Sequence, residues 1–216
     1  SNPGPVKRAD GEAPVEPMAP SLPELAAEVF ETLAERFPVA CASDEFYYFP
    51  QAVAKSGRWN RWDRLTPESV AETASRLSSW ETALARRENE AGSHAEKVDA
   101  AALRRHCRGL REQLTEFRAW ARQPSFSLTL AAVGLAEALE ADDPAAAHRR
   151  ADTLADFFGR ARRHLSDVPA AFLSVGREMV PAVRGYLVGL LDRLPELSPA
   201  INALHRFDAR LRDITP

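Results

Sequence analysis

The sequence lacks most of the features that identify an enzyme or a metalloprotein. It contains none of the patterns HExxH, GxSxG, GxxxxGKS/T or GxGxxG, which mark zinc peptidases, serine hydrolases, P-loop proteins and dinucleotide-binding folds. No two of its five histidines have the helical spacing of a metal-binding pair. Two histidines have a carboxylate at helical spacing, His148 with Asp152 and His205 with Asp208. Each pair offers too few ligands for a zinc site. We therefore expect no cofactor and no metal, and no motif assigns a catalytic residue.

Cysteine is also scarce, since the chain has only Cys41 and Cys107. Neither belongs to a CxxC or CxxCH motif, which argues against zinc-finger and haem-attachment sites. Free cysteine side chains usually lie in the apolar interior of a protein. We expect two free, buried thiols rather than a disulfide.

Neither an excess of positive charge nor a membrane-length apolar run is present. The chain has 28 basic and 31 acidic residues, a net charge of -3 and a pI near 6.0, whereas general nucleic-acid binders are usually basic. The longest apolar stretch, residues 127–139, contains Glu137 and is shorter than the roughly 18 residues of a membrane span. We therefore expect a soluble protein with no nucleic-acid partner. The lack of a signal peptide favours the cytoplasm, although the opening Ser1-Asn2 resembles a cloning remnant and leaves a lost signal sequence open.

What the sequence has is helical periodicity punctuated by proline. Residues 1–20 hold five prolines and almost no apolar bulk, which predicts a disordered tail or linker. From residue 21 to 216, capping residues precede prolines at several helix starts, as in Ser21-Leu22-Pro23-Glu24 and Thr66-Pro67. No segment alternates like a strand. The pattern predicts one all-α domain at 21–216, an antiparallel bundle of about seven helices.

Two predicted helices carry apolar residues in steps of three and four, and such seams pack against neighbouring helices. We expect the first helix to begin at Asp99 and the second at Pro144. A later helix contains Pro181, which should kink or split it. The two seams comprise Leu103, Cys107, Leu110, Leu114, Phe117 and Ala121, and then Ala147, Ala151, Leu154, Phe158, Ala161 and Leu165.

The same two helices carry clusters of arginine. Guanidinium groups bind phosphates and acidic partners, but acidic residues interrupt both clusters, which favours solvated helix faces. His164 lies near a helix C-terminus, where a partly protonated imidazole suits the helix dipole and has a structural role. The clusters are Arg104, Arg105, Arg108 and Arg111, and then Arg160, Arg162 and Arg163.

The segment between Pro38 and Leu65 has no sustained period and includes the aromatic run CASDEFYYFPQ. It predicts a long loop after the first helix, with room for one short helix. We expect Phe46 and Phe49 to close the core, and we expect Tyr47 or Tyr48, which lie between them, to face a groove. Aromatic and cationic residues of the loop are the candidate ligand-binding residues, although packing equally suits its aromatics and is favoured. The candidates are Tyr47, Tyr48, Arg58, Trp59 and Trp62.

The order of these features resembles the N-terminal region of a bacterial family known as domain of unknown function 885. In that family an amphipathic helix ends at a proline, an extended aromatic segment follows, and a helix then starts at L-S/T-P-E. Residues 117–139 and 145–169 are similar to later helices of the family. The matching positions are Phe37-Pro38, Tyr47-Tyr48 and Leu65-Thr66-Pro67-Glu68.

Complete members of that family resemble zinc metallopeptidases with a HExxPGH helix downstream. This sequence has no such helix, and Ala40-Cys41 departs from the family's Ala-Thr, so no catalytic residue carries over. The resemblance implies a non-catalytic wall of a substrate groove or a module that binds a peptide or protein. Two alternatives stay open: a free-standing helical interaction protein that pairs through a three-four seam, and an enzyme using Asp44 and Glu45 beside a tyrosine.

Overall fold

Residues 18–216, which the computed structural model describes, form nine α-helices, one π-helical turn and one 3-10 turn, and no strand. The predicted all-α fold is confirmed. The predicted tail lies outside the described residues except for its last three, which are not helical. In chain order the elements are α1 (Leu22–Arg36), α2 (Pro38–Ala42), α3 (Pro67–Glu90), α4 (His94–Glu112), the π-helical turn (Gln113–Phe117), α5 (Ala119–Arg122), α6 (Pro124–Glu140), α7 (Pro144–His164), α8 (Ala170–Gly189), the 3-10 turn (Pro195–Leu197) and α9 (Ser198–Asp213).

The first helices begin where the capping residues predict. Ser21 and Glu24 form a reciprocal capping box, in which Ser21 N donates to Glu24 Oε2 at 2.7 Å and Glu24 N donates to Ser21 Oγ at 3.3 Å. Thr66 caps α3 by accepting from Ser69 N at 3.2 Å. These contacts satisfy amide groups that have no partner inside the helix.

The helices pack in two groups around one continuous core. In the first group α3 and α4 form a hairpin, and α1 packs against it. In the second group α6 lies between α7 and α8, and α9 packs on both of these helices. Helix α6 is central because it is apolar on nearly every side, with Leu128, Leu130 and Leu135 fully buried.

Both three-four seams lie mainly inside the molecule. Leu110 and Leu114 of the first seam are buried, as are Leu154 and Phe158 of the second. Residue Phe117 is an exception, because the π-helical turn leaves its side chain 58% exposed. The seams therefore hold the fold together and are not free to bind a second protein.

One predicted helix start is wrong, and one predicted break in a helix does not occur. Helix α4 begins at His94 and not at Asp99, because Ser93 Oγ accepts from Glu96 N at 3.1 Å and caps the helix earlier. Helix α8 continues through Pro181 without splitting. A proline removes one hydrogen bond of its helix, and here packing of the buried residues on either side, such as Val180 and Val183, holds the helix together.

The aromatic loop, residues 43–66, is hereafter called the crossing segment. The prediction that its phenylalanines close the core is confirmed, since Phe46 and Phe49 are each 6% exposed. Phe49 packs edge-on against Phe37 with ring centroids 5.0 Å apart, and Phe46 packs edge-on against Phe126 at 5.3 Å. The predicted burial of both free cysteines, Cys41 and Cys107, is also confirmed.

Candidate functional site

A buried arginine fixes the second half of the crossing segment. Arg150 of α7 is fully buried. Its guanidinium donates to the carbonyl oxygens of Arg58 at 2.5 Å and Arg61 at 3.0 Å. It also donates to the carbonyl oxygen of Gly134 on α6 at 2.6 Å. One cation therefore ties the backbone of residues 58–61 to two helices.

Trp62 belongs to this structural unit and not to an accessible wall. Its side chain is buried, its indole N–H donates to the carbonyl of Arg150 at 2.9 Å, and its ring stacks on Phe157 with centroids 5.0 Å apart. Gly134 leaves room for the ring, because a Cβ at that position would lie 2.5 Å from Trp62 Cζ3. The structure thus corrects the assignment of Trp62 from ligand binding to packing.

Two carboxyl groups accompany the buried cation. Asp63 accepts from Val39 N at 2.7 Å and Ala40 N at 3.0 Å, which caps α2. Burial raises the pKa of Asp63 to about 7, although these hydrogen bonds and the nearby arginines oppose the rise. Burial likewise raises the pKa of Glu137 to about 7, against the opposing charge of Arg150 at 3.9 Å. Arg150 and Asp63 form a structural anchor, because their hydrogen bonds all go to backbone groups.

An open groove of about 470 Å³ lies beside this anchor. We call it the Arg58 groove. The crossing segment supplies one side and the turn between α6 and α7 supplies the other. The guanidinium carbon of Arg58 lies 4.6 Å from the ring centroid of Trp59, a distance typical of a cation–π contact. The lining residues are Lys55, Gly57, Arg58, Trp59, Asn60, Asp142, Asp143 and Ala146.

The turn that presents Arg58 requires a glycine. Gly57 has φ +61°, in the left-handed region that residues with a Cβ rarely adopt. A Cβ at this position would also lie 2.9 Å from Asn60 Oδ1 and 3.0 Å from Arg61 Nε. The groove side formed by residues 57–60 therefore has a defined backbone shape.

Tyr47 and Tyr48 form a separate feature. Their hydroxyls are hydrogen-bonded to each other and their ring centroids lie 4.0 Å apart. Tyr47 is 75% exposed, and neither tyrosine lines the Arg58 groove. Asp44 and Glu45, the paired carboxylates of the sequence analysis, are exposed in the turn before them.

The sequence analysis named two residues that line the Arg58 groove, Arg58 and Trp59, but not the residues on its other side. Asp142 and Asp143 face them from a turn more than 80 residues away, which local periodicity cannot show. Arg150 had a visible signal, because it lies next to Ala151 on the apolar face of its helix. A charged residue on such a face usually has a buried partner.

Among residues 18–216, no group of three or more His, Cys, Asp or Glu side chains is arranged to hold a metal ion. Within that same range, no helix combines the length and apolar character required to cross a membrane. Comparison of the chain with protein-family models, with curated proteins and with solved structures gives no match.

Proposed function

We propose that this chain is a non-catalytic binding module that holds an extended peptide in the Arg58 groove. The observation that carries the proposal is the cation–aromatic pair of Arg58 and Trp59, set opposite Asp142 in a groove of about 470 Å³. Ligand pockets of a few hundred Å³ commonly combine an aromatic surface with a few oriented polar groups.

The charges of the groove favour a ligand that carries both signs. Lys55 already pairs with Glu31 at 2.6 Å, and Asp143 pairs with Arg149 at 3.2 Å. By contrast, neither Arg58 nor Asp142 has an ion-pair partner within 4.0 Å in the described part of the chain. A peptide with an acidic and a basic side chain complements this pair.

The anchoring of the groove supports binding of a flexible ligand. Arg150 donates hydrogen bonds to the backbone carbonyls of Arg58 and Arg61. Trp59 lies between these two residues in the sequence, so its backbone is held on both sides. A site that is already ordered loses little conformational entropy when it binds. Only the flexible peptide then loses conformational entropy on binding, and the ordered groove partly compensates for that cost.

The resemblance described above points the same way. In the family of domain of unknown function 885, the corresponding region would form one wall of a substrate groove, and we propose that role for this chain. Such a chain alone binds peptide without cleaving it. Bound zinc and peptide hydrolysis should be measured on the purified protein, and stoichiometric zinc with turnover would contradict the proposal.

The binding test begins with selection of peptides from a random 12-residue library on the immobilised protein. Affinities of the selected peptides are then measured for Trp59→Ala and Arg58→Glu. We expect each change to weaken binding about tenfold or more, because each removes a desolvated contact. Tyr47→Ala and Arg105→Glu serve as matched controls, since both residues are exposed outside the groove.

The controls decide between sites on the same loop. Loss of affinity in Tyr47→Ala with full affinity in Trp59→Ala would place the peptide on the tyrosine pair and contradict the Arg58 groove. Failure to select any peptide, or unchanged affinity in both groove variants, would contradict the proposed function itself.

A second candidate function is pairing of two copies through α8. The outer face of α8 carries an apolar three-four series that the fold does not bury, with Phe172 39% and Val175 46% exposed. A two-fold axis near residue 181 would set Phe172 opposite Gly189 and Met179 opposite Ala182, with Val175 opposite Tyr186.

This candidate is tested by the mass of the protein in solution. Sedimentation equilibrium should show a dimer that Val175→Asp dissociates, because a buried unpaired charge opposes association. The control is Val98→Asp, at an exposed valine on another helix. A monomer at high concentration would contradict pairing and leave the peptide-binding proposal unaffected.

A further inference from the structure

A second groove lies where the start of α3, the π-helical turn and the end of α7 meet. We call it the corner groove. It encloses about 490 Å³ and shares no lining residue with the Arg58 groove. Its apolar floor includes Val70, Leu114 and Trp120, and its polar rim includes Arg118, Arg163 and His164.

The backbone around the corner groove adopts rare conformations. In the described part of the chain, Arg118 with φ 51° and Asp167 with φ 49° are the residues other than glycine that have positive φ. Arg118 directly follows the π-helical turn. Left-handed residues with a Cβ and single π-helical turns are both unfavourable, and both recur at functional sites.

A set of hydrogen bonds holds this backbone in place. Arg118 Nη2 donates to Asp167 Oδ2 at 2.7 Å, and Arg122 Nε donates to the Asp167 carbonyl at 3.1 Å. Trp120 Nε1 donates to the carbonyl of Leu114 at 2.8 Å, which gives the π-helical turn a partner and fixes the indole ring. The shape of the groove is therefore set before any ligand arrives.

The free charge at the rim is positive. Arg118 is paired with Asp167, but no carboxylate of the described chain lies within 4.0 Å of the Arg163 guanidinium in an ion pair. His164 adjoins it and contacts Trp120 edge-on, with ring centroids 6.4 Å apart.

The pKa of His164 reports the same local charge. Partial burial lowers it, and the charges of Arg163 and Arg160 lower it further. Glu68 of α3 is the acid that opposes them. An anion bound at Arg163 would therefore raise the pKa of His164.

We propose that the corner groove binds a small organic carboxylate with an apolar body. The guanidinium of Arg163 takes the carboxylate in a charge-assisted, two-pronged contact, and the half-buried ring of Trp120 takes the apolar body. This function is independent of peptide binding in the Arg58 groove.

The probes are benzoate and hexanoate, with acetate and inorganic phosphate as anions that lack an apolar body. Binding is followed by NMR, through the indole N–H of Trp120 and the ring C–H signals of His164. We expect saturable binding of benzoate or hexanoate, an upward shift of the His164 pKa, and much weaker binding of acetate and phosphate.

Arg163→Gln tests the assigned cation, and Arg105→Gln is its control, because both arginines are exposed on helices. We expect Arg163→Gln to weaken binding about tenfold or more, as loss of a hydrogen bond to a charged group does, and Arg105→Gln to leave it unchanged. Trp59→Ala should also leave it unchanged, which separates this site from the Arg58 groove. No saturable binding, equal binding of phosphate, or binding insensitive to Arg163→Gln would overturn the proposal.

Discussion

Replacement of Arg150 by methionine tests the anchor on which the Arg58 groove depends. Methionine has a similar length but no donor, so the change removes the hydrogen bonds to the carbonyls of Gly134, Arg58 and Arg61. It also leaves Glu137 without its nearest cation. The side chain is fully buried, so water cannot readily replace the lost donors.

The magnitude follows from these contacts. A buried polar group left without a partner costs about 1–3 kcal/mol, and here three backbone carbonyls lose their donor. Because the three acceptors share one donor group, their costs do not simply add. We expect Arg150→Met to lower the free energy of unfolding by about 4 kcal/mol.

Urea unfolding followed by circular dichroism measures this loss. The control is Arg149→Met. Its exposed side chain forms an ion pair with Asp143 alone among residues 18–216, so the change should alter stability by less than about 1 kcal/mol. Hydrogen exchange should also show faster exchange in residues 58–62 of the Arg150 variant. An Arg150→Met protein within about 1 kcal/mol of the native protein would refute the anchor.

Three further predictions concern packing and pH. Phe49→Ala should lower the free energy of unfolding by about 3–5 kcal/mol, measured by urea titration, because the ring is buried. Gly134→Ala should cost about 1–3 kcal/mol by the same assay, because its Cβ meets Trp62. Gly185→Ala, which has nothing within 4 Å of its Cβ, should be neutral or stabilising by about 1 kcal/mol; equal effects of the two glycine changes would contradict the close contact. The third prediction concerns Asp63, whose pKa rises from 3.8 to about 7 on folding. Between these two pH values the folded protein binds more protons at Asp63 than the unfolded chain does. The contribution of Asp63 to stability is therefore full below pH 3.8 and is lost as pH rises toward 7. The free energy of unfolding should decrease between pH 4.5 and pH 7 in the native protein, and it should decrease less in Asp63→Asn. A larger decrease in the variant than in the native protein would contradict a raised pKa of Asp63.

Local signals in the sequence predicted the helices well where a cap or a proline marks the boundary. The start of α4 shows how a local signal can be overlooked. Ser93 and Glu96 have the same S-x-x-E spacing as Ser21 and Glu24, and in the structure Glu96 Oε2 accepts from Gly92 N at 3.2 Å. The apolar seam is clear only after Asp99, whereas the cap lies six residues earlier.

The grooves could be predicted only in part, because their residues come from distant segments. Arg58 and Trp59 stand out as exposed cationic and aromatic residues of a loop, but no periodicity brings Asp142 beside them. Phe117 fits the spacing of an apolar seam, yet the π-helical turn changes the direction of the side chain. The hydrogen bond that accompanies this change, from Trp120 Nε1 to the carbonyl of Leu114, spans only six residues, but hydrophobic periodicity gives no sign of it.

The contacts of Arg150 join segments that are far apart in the chain, which bears on the order of folding. Its partners on the crossing segment lie 92 and 89 residues earlier in the chain. Closing loops of that length slows folding, so helices α3 and α4 can pair long before the crossing segment is held. During synthesis, a chain that ends at α6 has no donor for the carbonyls of Arg58 and Arg61. We therefore expect the Arg58 groove to be among the last parts of the protein to acquire its shape.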